Sequence, residues 1–178
     1  MEQRPAGATE DEHVLYLMRH AKAEVLRPGE DDSQRQLIDR GRRQARCVGD
    51  WLAEKGARID RVLCSEAVRA RQTLEHLDLS APTDFTWDLY NAGAERILDQ
   101  LHEVDESVGT VLVVAHAPGI PALTWDLAEP IISDQDAKAT IAHHFPPSTT
   151  VRLEFLGRWR DLDLDTARLT HTRICDVA

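Results

Sequence analysis

Short apolar runs recur along the chain and are separated by longer polar stretches. Residues 14–18 and 110–115 are almost continuously apolar, which is typical of strands buried in the middle of a parallel sheet, and residues 59–64, which end in an apolar run, predict another strand. A weaker run at residues 85–89 predicts one more short strand. Each of these segments is five or six residues long, far below the roughly 20 apolar residues that a membrane-spanning helix needs. We therefore expect no contact with a membrane.

Between these runs the apolar positions follow helical spacing. Residues 41–55 repeat apolar side chains every three or four positions, and Gly56 is a suitable residue to end that helix. Ser65 is predicted to cap a second helix, because a serine hydroxyl can accept a hydrogen bond from a free backbone N–H group of the first turn. Two further helices are predicted at residues 94–104 and 120–127.

The last third of the chain has a different pattern. Residues 150–155 alternate between apolar and polar side chains, and residues 168–174 form another extended stretch, which together predict an antiparallel hairpin added to the sheet. No element is predicted for residues 130–147. The sequence thus predicts a single three-layer α/β/α domain at residues 13–178, with a mostly parallel central sheet. Residues 1–12 are predicted to be a flexible N-terminal tail.

Charge and cysteine content restrict the partners and the compartment. The net charge is −10, and residues 76–178 contain 7 Lys/Arg against 17 Asp/Glu, so nucleic acid is not an expected partner. Cys47 lies in a helical pattern and Cys64 in a strand pattern, so both are interpreted as buried thiols. Together with Cys175 they make an odd number, and a reducing cytoplasm is the expected location. No metal site and no cofactor are expected.

Histidine and arginine follow the predicted strands. Arg19 and His20 come directly after the first strand, Arg69 lies in the helix after the second, and His116 follows the run at residues 110–115. Ligands of open α/β sheets bind beyond the carboxyl ends of parallel strands, where these residues are expected to meet. Arginine presents a planar fork of donors to phosphate oxygens, and a neutral histidine can attack phosphorus. The pattern predicts phosphoryl chemistry.

Three segments carry a family resemblance. Arg19-His20-Ala21 resembles the Arg-His-Gly signature of the histidine phosphatase superfamily, Ser65 to Thr73 is similar to its Ser-x-x-x-Arg-Ala-x-Gln-Thr stretch, and His116 matches its second histidine. The short chain is most similar to SixA-type phosphohistidine phosphatases. The resemblance implies a phosphoglycerate mutase-like fold.

The resemblance also implies a role for individual residues. His20 would be the nucleophile that becomes phosphorylated, Arg19 and Arg69 would hold the phosphoryl oxygens, and His116 would complete the pocket. Arg35 resembles a further arginine of SixA-type loops that binds the substrate, although Gln36 stands where those proteins usually have proline.

The general acid and the substrate are left open by the sequence. Asp88 and Glu95 are candidates for the acid by position alone. The expected partner is a protein carrying phosphohistidine, because an imidazole leaving group needs less help from an acid. One alternative is a small phosphate ester, as in a small-molecule phosphatase or a phosphoglycerate mutase-like enzyme. Another is a regulatory module that binds phosphate without turnover.

Overall fold

A mixed β-sheet forms the centre of the molecule in the computed structural model, which describes residues 12–177. Within that range the strands are β1 (Glu12–Arg19), β2 (Arg61–Ser65), β3 (Thr83–Thr86), β4 (Thr110–Ala115), β5 (Thr150–Leu156) and β6 (Arg168–Arg173). The sheet order is β3-β2-β4-β1-β5-β6. The strands from β3 to β1 pair in parallel, whereas β5 and β6 are antiparallel. The predicted parallel sheet with a C-terminal antiparallel hairpin is confirmed.

Helices cover both faces of the sheet. They are α1 (Asp39–Glu54), α2 (Val68–His76), α3 (Ala94–His102), α4 (Gly119–Leu127) and α5 (Gln135–Ile141). Alternate residues of each strand point to opposite faces, so Leu15 and Leu17 pack with α3 and α4, whereas Tyr16 and Met18 pack with α1 and α2. Two apolar layers therefore enclose the sheet, as the three-layer prediction requires.

The structure corrects the predictions for the third strand and for Ser65. The strand expected at residues 85–89 ends at Thr86, whose side chain accepts a hydrogen bond from the backbone N–H of Asp88 and turns the chain into a short 3-10 helix. Ser65 does not cap a helix. It ends β2, and α2 starts three residues later.

The segment at residues 130–147 contains a helix that the sequence pattern did not predict. Asp134 begins α5, because its Oδ1 atom accepts a hydrogen bond from the backbone N–H of Ala137 at 2.8 Å. This helix has seven residues, of which only Ala137 and Ile141 are buried. Such a short helix with two apolar contacts leaves almost no periodic signal.

The prediction of free thiols is wrong for one cysteine. Cys47 on α1 forms a disulfide bond with Cys175, which follows β6. Cys64 is a free, buried thiol, and burial raises its pKa to about 12. The two bonded residues are 128 positions apart, so no local pattern could pair them. Because disulfides are rare in reducing compartments, the bond does not favour the expected cytoplasmic location, which stays a prediction.

The ends of the domain are only partly tested. Residues 1–11 of the predicted tail lie outside the described residues, and Glu12 is the first residue of β1. The domain boundary at residue 13 stays a prediction. Among residues 12–177, no helix has the length and apolar content needed to cross a membrane.

Candidate active site

The two histidines of the sequence motifs meet at one edge of the sheet. β1 and β4 are parallel, and Arg19 lies opposite Ala115. The residues that follow them, His20 and His116, therefore leave the sheet at the same level. The backbone N–H of His20 donates to the Ala115 carbonyl at 2.9 Å, and the imidazole rings of His20 and His116 have centroids 5.1 Å apart. The carboxyl edge of the sheet thus brings together the residues that the strand pattern placed there.

The backbone after His20 is fixed from two helices. The N–H group of Ala21 donates to Thr73 Oγ1 on α2, and that of Lys22 donates to Gln44 Oε1 on α1, both at 3.0 Å. Gly41 allows α1 to approach, because a Cβ atom there would lie 2.0 Å from the Lys22 carbonyl oxygen. These contacts hold the histidine loop in one position.

A cavity of about 500 Å³ opens over this edge. Its walls include five of the residues singled out in the sequence, namely Arg19, His20, Arg35, Arg69 and His116. The structure does not bring Asp88 and Glu95 there. Asp88 forms an exposed ion pair with Arg96 at 2.9 Å, and Glu95 is exposed in the first turn of α3.

The His20 ring is held in one tautomer. Its Nδ1 atom lies 2.8 Å from the Ala21 carbonyl oxygen, which can only accept, so Nδ1 carries the proton. The lone pair of Nε2 faces Arg69 Nε at 3.2 Å. Burial lowers the pKa of His20 to about 3; the Ala21 hydrogen bond opposes this, and the charges of His116, Arg69 and Arg19 add to it. The ring is therefore neutral at physiological pH and presents an unprotonated nitrogen at the cavity.

His116 and Arg19 each have one buried nitrogen without a partner among the described residues. Nε2 of His116 is 2.7 Å from Ser65 Oγ, whereas its Nδ1 has no hydrogen bond. A terminal nitrogen of Arg19 donates to the Phe145 carbonyl at 2.7 Å, whereas its Nε has no acceptor. Burial lowers the pKa of His116 to about 3, with Arg69 adding to the effect. The Ser65 hydroxyl can donate to Nε2, which leaves the proton of the neutral His116 ring on Nδ1. Buried donors without acceptors are costly, and an anion in the cavity would satisfy both.

Asp32 organises the arginines and was not predicted. Its Oδ1 accepts from Arg35 Nε at 2.8 Å, and its Oδ2 accepts from an Arg69 terminal nitrogen at 2.9 Å and from the Tyr90 hydroxyl at 2.7 Å. Partial burial raises the pKa of Asp32, but the Tyr90 and Arg35 hydrogen bonds and the arginine charges outweigh it and hold the pKa well below its usual range. Asp32 is therefore ionised and orients both guanidinium groups.

Sequence signals for these missed residues are weak. Asp32 lies within an acidic run that is typical of a solvated loop, and Tyr90 precedes an exposed turn. Ser65 was placed at a helix start, whereas it holds His116. Among residues 12–177, no group of three or more histidine, cysteine or acidic side chains is arranged to hold a metal ion.

Known proteins are similar to this chain in sequence. A family model of the histidine phosphatase superfamily (branch 1) matches residues 15–89. An uncharacterised protein of Mycobacterium leprae is 37% identical over 155 residues, covering 85% of this chain and 96% of that protein. The phosphohistidine phosphatase SixA of Escherichia coli is 30% identical over 119 residues, covering 64% and 73%.

The solved structures agree. The structure of a candidate phosphohistidine phosphatase SixA from Nakamurella multipartitia superposes with a TM-score of 0.83 at 34% identity, covering 94% of this chain and 98% of that one. Fold and site together define an α/β phosphatase with a histidine at the centre of an arginine-lined cavity. The chain belongs to the histidine phosphatase superfamily and is similar to members of the SixA type.

Proposed function

We propose that the protein is a phosphohistidine phosphatase that forms a covalent phosphoryl intermediate on His20. The observation that carries the proposal is the state of that ring, which is buried and neutral and directs its Nε2 lone pair toward the arginine-lined cavity. A neutral imidazole nitrogen is a competent nucleophile toward phosphorus. SixA of E. coli, one of the relatives, is itself named a phosphohistidine phosphatase.

The reaction follows from the donors around His20. Nε2 attacks phosphorus, the bond from phosphorus to the leaving nitrogen breaks, and the leaving imidazole departs with its electron pair and takes up a proton. Water then attacks phosphorus, the bond from phosphorus to His20 Nε2 breaks with its electron pair returning to the nitrogen, and inorganic phosphate leaves the neutral histidine. Arg69 Nε transfers its hydrogen bond from the attacking nitrogen to a phosphoryl oxygen, and Arg19 Nε and His116 Nδ1 bind the other oxygens.

The two carboxyl groups in the described cavity wall, Asp32 and Glu24, act as hydrogen-bond acceptors, Glu24 toward the backbone N–H of Gln36 at 3.1 Å, and this favours a phosphoramidate over an ester. Asp32 is ionised and bonded to two arginines, and Asp88 and Glu95 lie elsewhere. An alkoxide leaving group needs a proton in the transition state, whereas an imidazole, with an ordinary pKa of about 6.5, departs readily once protonated. The small phosphate ester is thus the weaker alternative.

A substrate comparison tests the proposal. We expect the protein to hydrolyse a histidine-phosphorylated phosphotransfer domain with a kcat/KM at least about a hundredfold above that for p-nitrophenyl phosphate, because only the ester requires a strong general acid. His20→Ala serves as the blank for both substrates. A higher kcat/KM for the ester would reject the phosphohistidine assignment, and binding of phosphate without turnover of either substrate would indicate a regulatory module.

A further inference from the structure

The outer wall of the His20 cavity carries apolar side chains that are open to solvent. Val25 and Leu26 both line the cavity, yet their side chains are 79% and 46% exposed. Neither aliphatic side chain can donate a hydrogen bond to a phosphoryl group. An exposed aliphatic pair beside a strongly polar floor therefore has no role in holding the phosphoryl group itself.

Hydrogen bonds hold the backbone on both sides of Val25 and Leu26. The preceding residue, Glu24, donates its backbone N–H to the Gln36 carbonyl at 2.9 Å, and its own carbonyl accepts from Arg35 at 2.7 Å. Beyond the pair, the backbone N–H of Arg27 donates to a Glu30 carboxylate oxygen at 3.1 Å and closes a turn. The two apolar residues are thus displayed between two hydrogen-bonded anchors.

The apolar surface continues outward from the reaction cavity. A second groove of about 360 Å³ shares Glu24 and Val25 with the cavity and is bounded by Ile38, which is 37% exposed. Arg27 and Glu30 form its charged margin. An apolar centre with a charged margin is the composition of a protein-binding surface. We call Val25, Leu26 and Ile38 the apolar rim.

Because the apolar rim borders the cavity of His20, the size of the molecule bound at His20 determines whether the rim is covered. A small phosphate compound that reaches His20 fills the polar floor and leaves the rim in water. A phosphorylated residue of a protein reaches the same floor only if the protein surface around it lies on the cavity wall. Burial of the exposed aliphatic groups then contributes to binding.

We propose that the apolar rim is the docking surface for the phosphorylated protein substrate, a protein whose phosphohistidine is bordered by apolar side chains. This inference rests on the proposed function and adds the surface that selects the carrier of the phosphoryl group. The rim acts on binding of the carrier and leaves the chemistry at His20 unchanged.

The test is the double variant Val25→Ser/Leu26→Ser, assayed with a histidine-phosphorylated phosphotransfer domain and with phosphoramidate. We expect kcat/KM for the protein to fall by about tenfold or more, mainly through KM, as for loss of an apolar interface contact. The value for phosphoramidate should stay within about twofold, as for surface changes remote from the reacting groups. The control is Ile131→Ser/Ile132→Ser, another exposed aliphatic pair, which lies outside the cavity wall.

Three outcomes overturn the proposal. If the wild type hydrolyses the phosphoprotein and the rim variant has the same KM, the docking surface is rejected and the proposed function still stands. A concentration-dependent dimer that the rim variant abolishes assigns the surface to self-association. If the wild type hydrolyses neither substrate, the proposed function fails, and the docking proposal fails with it.

Discussion

Cationic residues gather at both ends of the central strands, and the two groups differ in burial and in bonding. At the carboxyl edge, Arg69 is 2% exposed and its guanidinium is bonded to His20 and Asp32. At the opposite edge, a cavity of about 430 Å³ is bordered by Lys55, Arg58, Arg152 and His171. Lys55, Arg58 and His171 of that group are exposed.

The histidines show what the difference means. His20 and His116 both have a pKa of about 3, with burial as the main cause, so each is a neutral ring in a fixed hydrogen bond. Burial and the charges of Lys55 and Arg152 also lower the pKa of His171, but this ring stays in contact with water. Positive charge is common to the two edges. Removal from water and fixed geometry distinguish the carboxyl edge.

Among the changes that compare the two edges, Arg69→Ala should cause the largest fall in kcat/KM. We expect kcat/KM to fall roughly 10²–10³-fold, about 2–4 kcal/mol, because a fixed donor to the transferring phosphoryl group is lost. Steady-state kinetics would measure this, with Arg71→Ala as the control, since Arg71 lies on the same helix but pairs with Glu66 at the surface.

Arg69→Lys completes that experiment. The lysine keeps the charge but not the planar fork that contacts Asp32 and His20 together, so we expect only partial recovery. Full activity in the alanine variant, with an unchanged melting temperature, would contradict the role given to Arg69.

The second prediction concerns stability against pH. A histidine whose pKa is lower in the folded state is neutral in both the folded and the unfolded state well above pH 6.5. At such pH values it does not make the free energy of unfolding depend on pH. Below pH 6.5 the unfolded chain binds the extra proton, so the free energy of unfolding falls as the pH drops from 6.5 toward about 3. Each such ring contributes a slope of at most about 1.4 kcal/mol per pH unit.

His116→Gln should therefore have a shallower pH dependence than the wild type in urea unfolding between pH 7 and 4. The matched change at the opposite edge, His171→Gln, should alter the slope much less, because that ring is solvated. Equal slopes for the wild type and His116→Gln would mean that His116 is not held neutral by burial.

The smallest effect is expected from the exposed edge. The double variant Lys55→Ala/Arg58→Ala should keep kcat/KM within about twofold and change the free energy of unfolding by less than about 1 kcal/mol, as for surface substitutions. A tenfold loss of kcat/KM would show that these cations take part in capturing the phosphate.

The sequence predicted most of the carboxyl edge because local patterns encode it. Continuous apolar runs indicate buried strands, and parallel strands carry the residues that follow them to one edge, so Arg19, His20 and His116 could be placed from one sequence. Arg69 followed from its position in the helix after β2. Their chemical roles stay predictions that the kinetics above address.

Other features depend on contacts between distant segments. Asp32 acquires its function only when Arg69, Arg35 and Tyr90 converge on it, and in the sequence it is one acid of an acidic run. The Cys47–Cys175 bond joins α1 to the end of the domain. Helix α5 depends on a cap and two buried side chains. None of these leaves a periodic pattern.

The most direct test of the central claim is to identify the phosphorylated residue during turnover. The protein would be mixed with a histidine-phosphorylated phosphotransfer domain, quenched in base within milliseconds and analysed by peptide mass spectrometry under alkaline conditions. We predict one phosphoryl group on His20 that is labile in acid and stable in base, and no such adduct or turnover in His20→Ala. A phosphoryl group on another residue, or full turnover by His20→Ala, would contradict the account.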